Sequence, residues 1–229
     1  MSSDSPILLL FGSGANTGAN VTRVFSAKGY RIAQVSRSAS GENTAEKISI
    51  AGDFTDYESI PSIFAKVKEQ FGGIPSVVVF NASGVTPNDA SNPFSLKVED
   101  LNRTLKINTL SAYSAAKEAT KGFEQLPADA SRTFIYTGNI LNMTTIPTML
   151  DLGVGKTGMA HVIESASKAF ADKGFKFYYA DERLEDGSPL YQGVNGDAHA
   201  DHFAELVEHK TQGEWLQTFV KGIGYKNFR

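Results

Sequence analysis

Short apolar runs alternate with longer amphipathic stretches along the chain, and this alternation limits the possible folds more than any other feature. The runs are apolar almost throughout, which is typical of strands covered on both faces. The longer stretches carry apolar residues at helical spacing, as Ile60, Ile63, Phe64 and Val67 do. Predicted strands cover residues 7–11, 31–35, 47–51, 76–80, 132–137, 176–179 and 215–221, and predicted helices cover 17–29, 57–71, 98–124, 155–173 and 198–210.

Alternation of this kind predicts right-handed βαβ units and therefore an α/β fold. We expect a doubly wound parallel sheet of seven strands in the order 3-2-1-4-5-6-7, with helices on both faces and three layers in all. No repeat or linker interrupts the pattern, so residues 1–229 are expected to form one domain. In such sheets, ligands bind at the carboxyl ends of the strands.

Composition and charge argue against several classes of function. The chain has 25 acidic and 22 basic residues, a net charge of −3 and no cysteine, which disfavours a nucleic-acid surface and excludes disulfides and thiolate metal sites. The longest apolar run, 7–11, is far shorter than the roughly 20 residues of a membrane span. Ser2, Ser3 and Asp4 lack the basic segment of a secretory signal peptide. We therefore expect a cytoplasmic protein with neither nucleic-acid nor membrane partners.

The first predicted strand runs directly into the loop Gly12-Ser13-Gly14-Ala15-Asn16-Thr17-Gly18, and a helix follows. Glycines let the backbone approach a pyrophosphate, which binds free N–H groups at a helix N-terminus. The third glycine comes one residue later than in the G-x-G-x-x-G fingerprint, which would place it at Thr17. A tight turn that binds no ligand is the alternative interpretation.

This longer spacing resembles the loop of the short-chain dehydrogenase/reductase family, which reads G-x-x-x-G-x-G and belongs to a Rossmann-type fold. Gly12 and Gly18 match the outer glycines, and Asn16 replaces the middle one. Asparagine tolerates left-handed backbone better than other non-glycine residues, so we expect the turn to survive this replacement.

Further residues resemble the family's motifs at the expected places, from residue 7 to about residue 180. Asp53 is similar to the family's aspartate near the adenine ring, and the segment 81–84, Asn-Ala-Ser-Gly, resembles its N-A-A-G segment. Asn108 matches the asparagine that holds a water in the family's proton relay. Lys156 stands where the lysine of its Y-x-x-x-K motif belongs.

The resemblance implies a nicotinamide dinucleotide, and the end of the second strand favours NADP(H) over NAD(H). An acidic residue there would bind the ribose 2′-hydroxyl and repel a 2′-phosphate. The chain instead has Ser36-Arg37-Ser38, whose guanidinium and hydroxyls can donate to the phosphate. A solvated surface arginine is the alternative. The residues expected to bind the cofactor are Gly12, Ser13, Gly14, Asn16, Thr17, Gly18, Ser36, Arg37, Ser38, Asp53, Phe54, Asn81, Ala82, Ser83 and Lys156.

The resemblance fails at the residues that carry the family's chemistry. A tyrosine four residues before the lysine passes a proton to or from the substrate oxygen, and a serine thirteen residues earlier holds that oxygen. Here these positions are Leu152 and Asn139. Leucine has no titratable proton, so the usual acid–base step cannot occur at that position. Asp181 and Glu182 also replace a Pro-Gly pair near the nicotinamide, unless they form an ordinary charged turn.

Three functions remain open. The chain is an NADP(H)-dependent oxidoreductase for a small carbonyl or alcohol with a displaced proton donor, a nucleotide-binding sensor or partner subunit, or a non-redox isomerase or lyase. Asn139 could polarise a carbonyl through its amide. The variable segment 184–212 is expected to select the substrate. The candidate catalytic residues are Asn108, Asn139, Lys156 and Tyr191, and further candidate proton donors are Tyr136, Tyr179, Asp181 and Glu182.

Two further patterns concern metals and partners. His199, His202, Glu205 and His209 could together bind zinc, but such spacing is more often a solvated polar helix face, so we predict no metal site. The family resemblance implies a homodimer or homotetramer formed through helices 98–124 and 155–173. The small residues expected to allow close helix approach are Ala112, Ala115, Ala116, Gly158 and Ala166.

Overall fold

The computed structural model describes residues 5–39, 41–191 and 193–228, and eight strands of this part of the chain form one sheet. The expectation based on Ser2, Ser3 and Asp4 lies outside the described residues. The order is β3-β2-β1-β4-β5-β6-β7-β8, and the first seven strands of the chain are parallel. The strands are β1 Ile7–Phe11, β2 Arg31–Ser36, β3 Lys47–Ala51, β4 Val77–Phe80, β5 Thr133–Thr137, β6 Lys176–Arg183, β7 Leu216–Val220 and β8 Gly224–Tyr225. The predicted Rossmann-type α/β fold is confirmed.

Helices cover both faces of this sheet because alternate residues of each buried strand point to opposite sides. The helices are α1 Thr17–Ala27, α2 Ile60–Phe71, α3 Val98–Leu105, α4 Ser111–Phe123, α5 Leu150–Ala169 and α6 Gly196–Glu208. Leu9 and Phe11 of β1 join one core, under α2, α4 and α5, whereas Leu8 and Leu10 join the other, under α1 and α6. None of these helices is long and apolar enough to cross a bilayer.

The sheet departs from the prediction at its far edge. A short eighth strand, β8, pairs antiparallel with β7, at Phe219 with Tyr225. β6 runs four residues further than predicted, because its charged residues pair with β7 as strand residues, Asp181 opposite Thr218. The sequence interpretation of this segment as a charged turn is therefore wrong.

Two helices also differ from their predicted bounds. The predicted helix 98–124 is interrupted by a π-helical turn, Lys106–Leu110, between α3 and α4. α5 begins at Leu150, earlier than the predicted residue 155. Gly155 belongs to this helix for a packing reason, since a Cβ atom there would lie 3.0 Å from the Cβ of Asn108. Both features lie beside the carboxyl ends of β4 and β5.

Candidate functional site

The glycines of the loop after β1 have two different roles. Gly12 has φ 91°, and a Cβ atom on it would lie 2.6 Å from the backbone nitrogen of Ala82. A Cβ atom on Gly18 would lie 2.6 Å from the Cα of Ser13. No atom lies within 4 Å of the corresponding position on Gly14. Gly12 and Gly18 therefore let the loop pack, whereas Gly14 leaves space for a ligand.

Asn16 has a structural role other than the one its sequence position suggested. Its φ of −93° is not left-handed, so conformational tolerance does not explain it. Its Nδ2 donates to the carbonyl oxygen of Val194 at 2.7 Å, and its Oδ1 accepts from the N–H of Gly196 at 3.1 Å. The side chain thus connects the glycine loop to the start of α6.

Because the Asn16 side chain is held by residues 194 and 196, it does not cap α1. The N–H groups of Gly14, Ala15 and Asn16 donate to no other described residue. Free N–H groups at a helix N-terminus bind anions, and the helix dipole adds to the attraction. The start of α1 can therefore hold a pyrophosphate.

A cleft of about 530 Å³ opens at the carboxyl ends of β1, β2 and β4. It contains ten of the predicted cofactor residues: Gly12, Ser13, Gly14, Ser36, Arg37, Asp53, Phe54, Asn81, Ala82 and Ser83. Five further residues line it that were not expected to bind the cofactor: Thr55, Gly84, Val85, Arg103 and Ile107. Gly84 ends the segment 81–84 already compared with the family motif, and Thr55 and Val85 directly follow predicted segments, so a short extension of those segments would have found all three. Arg103 and Ile107 reach the cleft from α3 and the π-helical turn. Asn16, Thr17, Gly18, Ser38 and Lys156 do not line it.

Two charged residues, Arg37 and Asp53, line the cleft after the ends of β2 and β3. Arg37 is exposed, lines the cleft and makes no ion pair or hydrogen bond with the rest of the described chain. Asp53 Oδ1 accepts from the N–H and the hydroxyl of Thr55, both at 2.9 Å, and these bonds lower the pKa of Asp53. The cleft thus presents a free guanidinium and a fixed carboxylate.

Asn108 supports the wall of the cleft from the π-helical turn. Its Oδ1 accepts from the hydroxyl of Ser83 at 2.9 Å and from the N–H of Gly84 at 3.2 Å. Its Nδ2 donates to the carbonyl oxygen of Gly84 at 2.7 Å. The Asn108 side chain is therefore fully used in holding the segment after β4. On the opposite side of that segment, Asn81 Nδ2 donates to the carbonyl oxygen of Gly12 at 2.9 Å.

Lys156 is buried beside Tyr136. Its Nζ donates to the carbonyl oxygen of Thr137 at 2.7 Å and lies 4.5 Å from the centre of the Tyr136 ring. Burial lowers the pKa of Lys156 to about 7, although the Asp181 carboxylate acts in the opposite direction. The Tyr136 hydroxyl donates to the main-chain oxygen of Asn108 at 3.0 Å. The predicted pair Asn108 and Lys156 is thus brought together, with a phenol between them.

Asn139, in the position of the family's serine, is held at three atoms. Its Oδ1 accepts from the N–H of Leu141 at 3.1 Å. Its own N–H donates to the Tyr179 hydroxyl at 3.1 Å, and this hydroxyl donates to the Asn139 carbonyl oxygen at 2.8 Å. The Nδ2 group donates to no other described residue. Asn139 therefore presents an amide N–H₂ as a free donor.

Leu152 occupies the position of the family's tyrosine in the first turn of α5 and is 8% exposed. The preceding residue, Asp151, fixes this turn, since its Oδ2 accepts from the Thr86 N–H and the Thr104 hydroxyl, both at 2.7 Å. An apolar side chain is thus firmly positioned where the family's acid–base group stands.

The other proposed proton donors are engaged elsewhere. Tyr136 and Tyr179 are fully buried, and burial raises the pKa of both. Asp181 accepts from Arg183 Nε at 2.6 Å, and burial raises the pKa of Asp181 against the effect of this pair. Glu182 accepts from the N–H of Asn195 at 2.8 Å and also lies 3.3 Å from His199.

Tyr191 does not join this group. It is 70% exposed and is not among the residues that line the cleft. The structure therefore brings together Asn108 and Lys156, with Asn139 and its neighbours on the adjacent carboxyl end of β5, but leaves Tyr191 at the surface. The predicted role of Tyr191 has no support in this arrangement.

The histidine set on α6 is only in part the solvated face that its spacing suggested, since Glu205 and His209 are exposed but the other two members are not. His199 and His202 are buried, and their rings contact Phe219 of β7 at centroid distances of 5.0 and 4.3 Å. Within the described residues, no group of three or more histidine, cysteine, aspartate or glutamate side chains is arranged to hold a metal ion.

A curated protein resembles the chain over almost its whole length. "Short chain dehydrogenase/reductase dmxR12" of Cryptosporiopsis sp. (strain 8999) is 45% identical over 235 aligned residues, which cover 98% of this chain and 95% of the relative. The chain belongs to the short-chain dehydrogenase/reductase family. The family model described as "Enoyl-(Acyl carrier protein) reductase" also matches residues 14–179. As a short-chain dehydrogenase/reductase, the chain is a member of a family of oxidoreductases.

Three solved structures share the fold at low sequence identity. "ElxO with NADP Bound" has a TM-score of 0.81 at 18% identity, covering 95% of this chain and 98% of that chain. The 3-ketoacyl-(acyl-carrier-protein) reductase of Brucella melitensis, complexed with NADH, has a TM-score of 0.77 at 15% identity, covering 96% and 99%. A short-chain dehydrogenase/reductase of Serratia marcescens BCRC 10948 has a TM-score of 0.74 at 15% identity, covering 95% and 96%.

Proposed function

We propose that this short-chain dehydrogenase/reductase binds NADP(H), in preference to NAD(H), and acts as an oxidoreductase on a small carbonyl or alcohol substrate. The observation that carries the proposal is the cleft, which is lined both by Gly14, whose N–H donates to no other described residue, and by the exposed Arg37. The dinucleotides bound by ElxO and by the Brucella melitensis reductase support a nicotinamide nucleotide in this position.

The residues present fit such a cofactor. The space beside Gly14 admits the pyrophosphate against the N–H groups of α1. Arg37 can hold the 2′-phosphate, with Ser36 beside it, and no acidic residue ends β2 to repel it. Asp53 and Phe54 form the wall next to the adenine, and Lys156 is assigned to the nicotinamide ribose. When bound, NADPH supplies a hydride to an electrophilic carbon.

The chain's own contribution to the reaction is to hold the substrate oxygen through Asn139. A neutral amide donor cannot supply a proton, but it stabilises negative charge as that charge develops on a carbonyl oxygen. Leu152 has no acidic group, and the Tyr136 hydroxyl already donates a hydrogen bond to the main-chain oxygen of Asn108. We therefore assign the proton that the substrate oxygen takes up to solvent. This active site is therefore an atypical one for the family.

Leu152 also favours a second candidate, a protein that binds the nucleotide without turning it over and serves as a sensor or partner subunit. Its buried methyl groups leave the family's acid position without a titratable atom. The third candidate is a non-redox reaction in the same pocket. It predicts NADP(H) binding, as the first two do, but no hydride transfer.

Calorimetry with NADPH and NADH, followed by NADPH oxidation with a panel of ketones, aldehydes and quinones, tests these functions. The proposal expects tighter NADPH binding and turnover of at least one carbonyl compound. Binding without turnover would support the sensor.

Gly14→Ala is expected to abolish nucleotide binding while keeping the melting temperature, because nothing in the protein opposes a Cβ atom there. Gly153→Ala, which also meets no atom within 4 Å, is the matched control and should bind normally.

Self-association through α4 and α5 remains part of the proposal, and of the small residues expected to allow it Gly158 and Ala166 are partly exposed. Ala112, Ala115 and Ala116 pack into the chain's own core and cannot form a contact between copies. Tyr113 of α4 and Val154 of α5 are exposed apolar side chains on these helices. Sedimentation at micromolar concentration is expected to give a dimer or tetramer, and a monomer alone would contradict it.

A further inference from the structure

We propose that Tyr179 is a positioning residue, whose phenol fixes Asn139 so that the Asn139 amide donates to the substrate oxygen. The identity of the acceptor, the substrate oxygen, rests on the proposed function. The two hydrogen bonds between the Tyr179 hydroxyl and the Asn139 backbone, which we call the clamp, are a property of the chain itself. Tyr179 comes from β6 and Asn139 from the segment after β5, so two neighbouring strands are joined at their carboxyl ends.

The Tyr179 ring lies in the space that Gly138 leaves open. A Cβ atom on Gly138 would lie 1.9 Å from the Cε1 atom of Tyr179 and 2.4 Å from Cζ. Only glycine fits beneath this ring, since contacts under 3.0 Å with a buried aromatic side chain cannot be relieved cheaply. The ring is fully buried and also packs against Tyr136, with 5.6 Å between their centroids.

The phenol uses both its donor and an acceptor site on one residue. It accepts from the Asn139 N–H at 3.1 Å and donates to the Asn139 carbonyl oxygen at 2.8 Å. Burial raises the pKa of Tyr179 well above its usual value, and Tyr136 and Asp181 act in the same direction, whereas Arg183 and the Asn139 bond oppose it. The hydroxyl therefore keeps the proton that the second hydrogen bond needs.

The direction of the Asn139 side chain is fixed by a separate contact, with the backbone of Leu141. An N–H of Leu141 can only donate, so the atom 3.1 Å from it must be the amide oxygen rather than the nitrogen. The Nδ2 group consequently points away from Leu141. With backbone and Oδ1 both held, Nδ2 is a preorganised donor, which is the arrangement that stabilises an oxyanion most effectively.

The first test measures the Asn139 amide itself and needs no substrate. In protein labelled with ¹⁵N-asparagine, the side-chain N–H₂ pair that disappears in Asn139→Asp is assigned to Asn139. In the unmodified chain we expect a high heteronuclear NOE for this N–H₂ pair, which indicates a rigid side chain. Tyr178→Phe is the matched control, since it removes another buried phenol, whose oxygen accepts from Gly213 N–H at 3.3 Å, and it should leave the NOE high. In Tyr179→Phe the NOE should fall to that of exposed asparagines; an unchanged NOE would overturn the proposal.

The second test uses turnover of whichever carbonyl compound from the panel is reduced. Tyr179→Phe is expected to lower kcat about tenfold to hundredfold, somewhat less than loss of a whole oxyanion donor, with the KM for NADPH unchanged. In an Asn139→Ala background the same substitution should have no further effect. An equal loss in both backgrounds would mean that Tyr179 does not act through Asn139.

The two tests separate the two proposals. If no compound is reduced, the oxidoreductase proposal fails, and the NMR test still decides whether Tyr179 positions Asn139. If Tyr179→Phe does not fold, Gly138→Ala provides a second variant, because it displaces the ring while keeping the phenol. It should give the same loss of order at Asn139, and retained order would contradict the clamp.

Discussion

Asn16 accepts a hydrogen bond from the N–H of Gly196 at 3.1 Å, and a Cβ atom on Gly196 would lie only 2.5 Å from the same oxygen. The Asn16 side-chain amide therefore occupies the space that is open because Gly196 has no Cβ atom. Through this contact the glycine loop after β1 and the segment that leads into α6 hold a common position, although Asn16 and Gly196 are 180 residues apart in the sequence.

This relationship predicts a coupled effect on stability. Gly196→Ala should lower the free energy of unfolding by about 1–3 kcal/mol because its methyl group overlaps Asn16 and Asn20. Asn16→Gly should cost about 1–2 kcal/mol through two lost hydrogen bonds. The double variant should lose less than the sum, because one substitution removes an obstacle to the other. Urea unfolding measures the free energy of unfolding of the two single variants and the double variant. Strictly additive losses would contradict a direct contact between Asn16 and Gly196.

Arg37 is expected to set the cofactor preference. Arg37→Ala should weaken NADPH binding about tenfold to hundredfold, the range for lost charge-assisted hydrogen bonds, and should leave NADH binding nearly unchanged. Lys66→Ala removes an exposed cation that does not line the cleft and serves as the charge-matched control. Isothermal titration with both nucleotides is the measurement. Equal affinity of the unmodified chain for NADH and NADPH would exclude the role of Arg37.

Restoring the family's residues tests what the active site lacks. In Leu152→Tyr with Asn139→Ser, a general acid returns, and such a group contributes about 10²–10⁴-fold to rate. We expect faster NADPH oxidation than in the unmodified chain, at a cost of about 1–3 kcal/mol in stability because Leu152 is buried. Leu152→Phe with Asn139→Ser adds the ring without the hydroxyl and should gain nothing. A slower double variant would show that the unmodified chain already has a substitute proton donor.

His202 predicts a loss of stability in acid. Burial lowers the pKa of His202 from 6.5 to about 4, the neighbouring His199 and His209 add to this, and a side-chain hydrogen bond with Gln217 acts in the opposite direction. The exposed Glu205 carboxylate lies 3.6 Å from the His202 ring. Below pH 6.5 the unfolded chain binds a proton that the folded chain does not, so stability falls with pH towards pH 4. The full effect is about 3 kcal/mol.

His202→Phe should remove this component of the pH dependence, because phenylalanine can keep the contact with Phe219 and does not titrate. His161→Asn, a substitution of an exposed histidine on α5, should leave it in place. Denaturant unfolding between pH 7 and pH 4 compares the three proteins. If the unmodified chain and His202→Phe lose stability in parallel, His202 is not the cause.

The first six strands could be predicted because each contains a short, mostly apolar run, and β1 Ile7–Phe11 has the predicted bounds. The end of β6 could not, because Asp181 and Glu182 are charged. Their burial depends on specific partners, namely Arg183, two residues further along β6, for Asp181 and His199 of α6 for Glu182. In the local sequence, charged residues that are paired inside a sheet cannot be told apart from the charged residues of a surface turn.

The site could be predicted where a motif fixes it and not where it depends on side-chain bonds between distant segments. Gly12, Arg37 and Asn81 line the cleft as expected. The sequence suggested that Tyr179 supplies a proton, whereas the structure uses its hydroxyl to hold Asn139, forty residues away in the chain. Nothing in the spacing of either residue indicates that their atoms meet.

The π-helical turn Lys106–Leu110 amounts to one residue more than a regular helix needs between α3 and α4. Each residue of a helix corresponds to a rotation of about 100°, so shortening the segment by one residue would turn α3 by that angle relative to α4. Asn108 would then leave the segment after β4, and Arg103 and Ile107 would leave the cleft. The geometry of the cleft wall is therefore encoded by the length of this segment as much as by its residue types, and an alignment gap at this point would mark relatives whose clefts have a different wall.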